Sequence, residues 1–255
     1  FIPVEGELQT GKEIRVGAVL DAVGRGQYSL SQCNNFLDKI RTSKVKDGDV
    51  IFLQDYWTSG IDSIFYALDS YGYKNIKVYA MLHAQSVDEY DFTYTMKDWM
   101  RFYELGLDNR MTGIFVGSTI HKKQLRAAGF KATIHVVSLP LDLEDVEKTA
   151  PDFKIKKNNV IYTSRLDKEK NPYFLIDVAN QFLAENKDWK FTLTTSGTNF
   201  RSSINGAVKH IEDFAKSNER FVLKKNLTKQ EYYYELKEAK IQFNCSLQDY
   251  VSWTA

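Results

Sequence analysis

The segment YTSRLDKEKNP (Tyr162–Pro172) sets an arginine and a lysine, Arg165 and Lys170, on either side of a tight turn. An arginine fork can chelate two phosphate oxygens while a lysine adds a compact charge, so the pair is suited to clamp a diphosphate. Each hydrogen bond to a charged group contributes about 1.5–3 kcal/mol. The same charges also suit an ordinary solvated loop. A second cluster, NCSLQDY (Asn244–Tyr250), carries Asp249, whose carboxylate can accept hydrogen bonds from sugar hydroxyls or cap a following helix. A third, MLHAQSVDEYDFT (Met81–Thr93), carries His83 followed by Gln85, Ser86, Asp88, Glu89 and Asp91. Such a histidine is either a structural residue or a group that touches a reacting centre. No Walker-type glycine loop and no GxGxxG accompanies these clusters.

Each cluster follows a short apolar run and precedes a longer amphipathic one. In the first half, strands are predicted over Arg15–Leu20, Asp49–Asp55, Ile76–Leu82, Gly113–Ser118 and Ile134–Pro140, the second of them buried on both faces as in a parallel sheet. Helices are predicted over residues 28–42, over Ser59–Tyr71 with Gly72 as the stop, over Lys97–Leu105, and over Thr119–Ala128 before Gly129. The polar stretch Asp142–Lys157 reads as a linker. The alternation then restarts, with strands at Asn159–Arg165, Trp189–Gly197, Arg220–Lys224 and Ile241–Ser246 and helices at Tyr173–Asn186, Ile204–Ser217 and Lys229–Ala239. This is the pattern of right-handed β-α-β units. The expected architecture is α/β, with two Rossmann-like domains, residues 1–150 and 151–255, whose parallel sheets face one another across a cleft. Ligands in such sheets sit beyond the C-terminal ends of the strands, where all three clusters fall.

Bulk composition narrows the function classes. Over 255 residues, 43% are hydrophobic and 26% charged, the profile of a globular protein, and a net charge of +1 provides no bulk field toward nucleic acid or an acidic membrane. Aromatics reach 14%, enough to fill a core or to line a sugar or base pocket. Cys33 and Cys245 stand far apart with no zinc or redox spacing, which fits a reducing cytoplasm. No apolar run approaches about 18 residues, and no signal peptide is visible. The chain begins at Phe1, so a processed or missing N-terminus is expected.

In order and spacing, the clusters resemble the retaining glycosyltransferases of family four, of the two-domain GT-B type, which include bacterial mannosyltransferases and sucrose synthases. The family has a strand, then GRL, a short loop ending in EK, and a helix; here SRLDKEK (Ser164–Lys170) matches, with Ser164 for the usual glycine. NLTKQEYYYELKEAKIQFNCS (Asn226–Ser246) follows a second family phrase, and VYAMLHAQS resembles the strand that ends in the family's histidine. The resemblance covers most of the chain, more closely from residue 159 onward. It implies that Arg165 and Lys170 bind the donor diphosphate beside Ser164 and Ser246, and that Asn226 and Leu227 lie near the nucleotide base. His83 would lie near the anomeric centre of the sugar. Asp249 stands where the first acid of the family's acidic signature belongs; the second would fall beyond Ala255, so both domains are expected to be incomplete and the chain truncated at both ends. The family's glycine-rich N-terminal loop has no assigned counterpart; Gly24 and Gly26 could imitate it.

The implied activity is transfer of a sugar from a nucleotide-diphosphate donor to an acceptor hydroxyl with retention of configuration. The cations replace a metal ion, so no essential metal and no cofactor beyond the donor is expected. The resemblance assigns Asp88 and Asp91 to the acceptor side, where a carboxylate can assist deprotonation of the hydroxyl. The acceptor is a glycan, a lipid, a small molecule or a modified nucleic acid. For a nucleic acid the only support is the local basic pairs Lys122–Lys123 and Lys224–Lys225. A nucleotide-sugar epimerase of the same fold and a catalytically silent scaffold are the alternatives.

Overall fold

In a computed structural model, residues 1–7, 22–83, 86–137, 143–150 and 152–248 are described. The chain divides into two units, Phe1–Leu139 and Pro140–Ala255. The strand expected at Arg15–Leu20 lies outside the described residues.

The first unit holds α1 (Ala22–Arg41), β1 (Val50–Leu53), α2 (Ile61–Ser70), β2 (Lys77–Met81), α3 (Lys97–Asp108), β3 (Gly113–Val116), α4 (Thr119–Ala127) and β4 (Thr133–Val136). Its strands are parallel and lie in chain order, β1-β2-β3-β4. The helices form where the apolar residues recur at helical spacing. In α2, Ile61, Ile64, Phe65 and Leu68 are buried along one stripe. The helix stops at Gly72, whose φ of 74° is left-handed, while Tyr73 N–H reaches back to the Leu68 carbonyl at 3.0 Å.

Right-handed crossovers between strands in chain order gather their helices on one face of the sheet. Accordingly Ile51, Val78, Ala80, Ile114, Val116 and Ile134 share one core with α1, α2, α3 and α4. This corrects the expectation that the strand predicted over Asp49–Asp55 is buried on both faces: Val50 and Phe52, on the opposite face of β1, are 61% and 45% exposed. Apolar content alone cannot tell a strand covered twice from one covered once.

The second unit holds α5 (Leu143–Thr149), β5 (Lys157–Tyr162), α6 (Pro172–Glu185), β6 (Lys190–Thr194), α7 (Ala207–Ser217), β7 (Phe221–Lys224), α8 (Lys229–Glu238) and β8 (Ala239–Gln242). The polar stretch read as a linker therefore contains a helix. Its polar residues serve contacts with α8: Asp145 pairs with Lys229, and Lys237 Nζ donates to the Ala150 carbonyl at 2.9 Å. Helix α8 starts with a capping box in which Thr228 and Glu231 exchange side-chain-to-backbone bonds.

All four strands of this sheet are parallel, in the order β7-β6-β5-β8. The chain steps outward from β5 to β6 to β7, then returns to the other side of β5 for β8. The strand order thus reverses between β5 and β8, and that is where an open α/β sheet forms its ligand crevice. Among the described residues no helix is long and apolar enough to cross a membrane.

Candidate functional site

The loop leaving β5 carries Ser164, Arg165 and Lys170 to the C-terminal edge of the sheet, on one side of the reversal, and the loop leaving β8 carries Ser246 to the other side. Burial anchors the first loop at Tyr162 and Leu166, each 1% exposed. The Tyr162 hydroxyl lies 3.2 Å from the Arg165 carbonyl and 3.1 Å from that of Lys170, so its single hydrogen ties the two shoulders of the turn. Asn171 closes the turn with a φ of 51°, a left-handed conformation that asparagine tolerates, and Pro172 opens α6. The positive end of the α6 dipole therefore points toward the same edge. Replacing Tyr162 by phenylalanine keeps the packing and removes the tie. It is expected to cost about 1–2 kcal/mol in urea unfolding; an unchanged midpoint would show that the tie contributes nothing.

Arg165 Nη2 lies 2.7 Å from Glu169 Oε1, and Lys170 Nζ lies 3.6 Å from the same oxygen. Arg165 Nη1 also meets Asp167 Oδ2 at 3.3 Å. The arginine side chain is 70% exposed, whereas those of Lys170 and Glu169 are 13% and 14% exposed. The cluster thus has one exposed cation at the surface and one largely buried in the wall.

Backbone and side-chain bonds join the strand-end loops to each other. Leu247 N–H donates to the Glu169 carbonyl at 2.7 Å, and the Cys245 thiol to that of Lys170 at 3.3 Å, which connects the β8 and β5 loops. Ser203 N–H donates to Asp167 Oδ1 at 2.8 Å and Ser202 Oγ to the Leu166 carbonyl, which connects the β6 loop. Asn226, left-handed at φ 59°, donates its N–H to the Gly197 carbonyl at 3.0 Å, and Leu227 N–H donates to that of Thr195 at 3.2 Å. The second unit therefore brings Ser164, Arg165, Lys170, Asn226, Leu227 and Ser246 to one edge. Ser246 Oγ is buried there with no hydrogen-bond partner among the described residues. Asp249 lies outside the described residues.

Burial pushes the Cys245 thiol up to about 11, against its own backbone bond and the Lys170 charge, and pushes Cys33 up to about 11, helped by Asp62. Both cysteines are un-ionised thiols at neutral pH, which makes them poor nucleophiles.

In the first unit, His83 follows β2 as an exposed residue, its Nε2 lying 3.3 Å from the Gln54 carbonyl. Asp88 and Asp91 lie on the same loop and are engaged in shaping it. Buried Asp88 accepts from Tyr90 N–H at 2.9 Å, and Asp91 caps a short helix by accepting from Thr93 N–H at 2.8 Å. Gly24 and Gly26 lie in α1 and so form no phosphate loop there; between them Arg25 pairs with Asp55, just beyond β1.

Sequence reasoning missed two groups beneath this loop. Glu104, 2% exposed, accepts from Ser86 N–H at 3.1 Å and from the Ser86 hydroxyl, and burial raises its carboxyl against those bonds. His121, fully buried at the start of α4, is pushed down to about 4, first by burial and then by the neighbouring His83. The helical stripe of α3 passes through Glu104, so a carboxylate at an apolar position was the available signal. Among the described residues no group of three or more His, Cys, Asp or Glu side chains is placed to hold a metal ion.

No protein-family model matches the chain, and no curated protein matches it. Solved structures do. The chain aligns with S. aureus TarM, solved in complex with fondaparinux, α-GlcNAc-glycerol and UDP, at a TM-score of 0.59 and 19% identity, over 89% of this chain and 42% of that one. It aligns with a UDP-forming α,α-trehalose-phosphate synthase from Burkholderia xenovorans at a TM-score of 0.62 and 12% identity, over 93% and 61%. The fold is of the GT-B type. The pneumococcal O-GlcNAc transferase GtfA, in complex with UDP and GlcNAc, aligns at a TM-score of 0.54 and 13% identity, over 86% and 42%. These neighbours are glycosyltransferases, and this chain spans about two fifths of the length of TarM and GtfA.

Proposed function

We propose that the chain carries the donor-diphosphate site of a retaining glycosyltransferase that uses a nucleotide sugar. The observation that carries this reading is the placement of Arg165 and Lys170 at the strand-order reversal of the second sheet, on a loop tied to its neighbours. Negative charge builds on the departing diphosphate as the glycosidic bond breaks. Cations already held near that charge stabilise the transition state without reorganising. The α6 N-terminus adds its dipole. Asn226 and Leu227 lie on the same edge and supply the base side of the site. The buried, unpartnered hydroxyl of Ser246 represents a cost that a bound group would offset.

In this reading His83 orients the sugar, and the loop shaped by Asp88 and Asp91 takes the acceptor, with the half-buried Asp91 the more accessible base. Retention follows from attack on the face from which the diphosphate leaves. Because the cations do the work that a divalent metal does in other transferases, binding is indifferent to chelators. Two free cysteines, Cys33 and Cys245, accord with a reducing, cytoplasmic setting.

A thermal-shift panel of nucleotide sugars and nucleoside diphosphates tests the reading, with and without EDTA, on this chain. At 100 times its dissociation constant, a ligand of the native state adds about 2.7 kcal/mol of stability. The expected result is a shift with one nucleoside diphosphate that EDTA leaves unchanged. A folded protein that shifts with none of them overturns the donor site; a shift abolished by EDTA overturns the metal-free clamp.

A further inference from the structure

We infer that Glu169 determines specificity at the clamp, admitting a diphosphate and rejecting a single phosphate. The inference rests on Arg165 and Lys170 being the diphosphate site. A single carboxylate oxygen, Glu169 Oε1, stands 2.7 Å from Arg165 Nη2 and 3.6 Å from Lys170 Nζ. It occupies the position relative to both cations that one phosphate oxygen would take. Asp167 adds a second carboxylate 3.3 Å from Arg165, so the charges of Arg165, Lys170, Asp167 and Glu169 cancel. An incoming anion must therefore compete with carboxylates of the chain itself.

The competition is unequal because of how the two cations are held. Arg165 is largely exposed and can swing its fork away from Glu169, while Lys170 is held in the wall close to it. A single phosphate that draws Arg165 outward gains one partner and leaves the Glu169 carboxylate facing it beside Lys170, at a repulsive distance. A diphosphate offers a second anionic group, so it can hold Arg165 through one phosphate and Lys170 through the other. The backbone of Glu169 is fixed independently of its charge, through the Leu247 N–H bond to its carbonyl. Glu169→Gln therefore changes the charge while keeping the loop.

The test measures dissociation constants for UDP against UMP, and ADP against AMP, by calorimetry on the wild-type chain, Glu169→Gln and Glu169→Asp. Wild type is expected to prefer the diphosphate. Glu169→Gln should tighten the monophosphate about three- to tenfold and the diphosphate less, shrinking the preference by that factor, given the screening of an exposed arginine. Glu169→Asp keeps the charge and should keep most of the preference. A merely structural role would weaken both ligands equally and leave their ratio fixed; that result, or no change in either constant, overturns the inference while the clamp stands. If wild type binds neither nucleoside diphosphate, the clamp and the inference fall together.

Discussion

Arg165→Ala is expected to lower turnover of the nucleotide-sugar donor by about 10²–10³-fold, the loss that follows when one fixed donor to a developing negative charge is removed. The fold should survive the change. The Arg165 side chain is 70% exposed, and the loop is anchored by Leu166 and by the Tyr162 hydroxyl on main-chain carbonyls, which the substitution leaves in place. Loss of rate without loss of thermal stability is therefore the signature sought. Arg165→Lys separates charge from geometry: it restores a cation but not the planar fork, so it should recover part of the rate and not all of it. Single-turnover kinetics with a nucleotide-sugar donor that stabilises the protein provide the measurement. Near-normal rates for Arg165→Ala would remove the clamp from the mechanism.

The second large effect is on stability and lies in the first unit. His121 is fully buried and its imidazole is pushed down from 6.5 to about 4, by burial and then by His83. The unfolded chain takes up a proton near pH 6.5 and the folded chain does not until about pH 4. The unfolded state therefore gains relative to the folded one as pH falls through that window. The stability from this group is fully present above about pH 6.5 and is lost progressively down to about pH 4, amounting to about 3 kcal/mol at 1.36 kcal/mol per pH unit. His121→Gln carries no proton to lose. Urea unfolding of both proteins at pH 7, 6, 5 and 4 should show wild type losing about 3 kcal/mol relative to the variant. Parallel pH profiles would mean that His121 takes up its proton at the same pH in the fold as in the unfolded chain.

Both effects arise from residues that sequence reasoning treats unequally. Arg165 was legible because its neighbours in the chain set it: a strand ends at Tyr162, a turn follows, and Pro172 starts a helix. Glu169 stands four residues after Arg165, across the turn, and its proximity to that residue is also a local fact. His121 and Glu104 carried no local signal beyond a polar residue on an apolar stripe; their environments come from helices and loops packed together across the first unit.

The sequence by itself determined the order of the described strands, the helices between them other than α5, and the stops at Gly72 and Gly129, because periodicity, caps and left-handed glycines act within a few residues. It also determined which loops follow strands, and hence which polar side chains reach a sheet edge. Tertiary structure alone decided the rest. Strand pairing is non-local, so only the assembled sheet shows that the order reverses between β5 and β8 and that Arg165 and Lys170 stand at the reversal with the Ser246 loop opposite. The side on which the crossovers fall is likewise a property of the whole unit, which is why an apolar strand such as β1 proved to be covered on one face and open on the other. The helix at Leu143–Thr149 meets a segment far along the chain, with Asp145 paired to Lys229, and no local pattern announces a partner that distant.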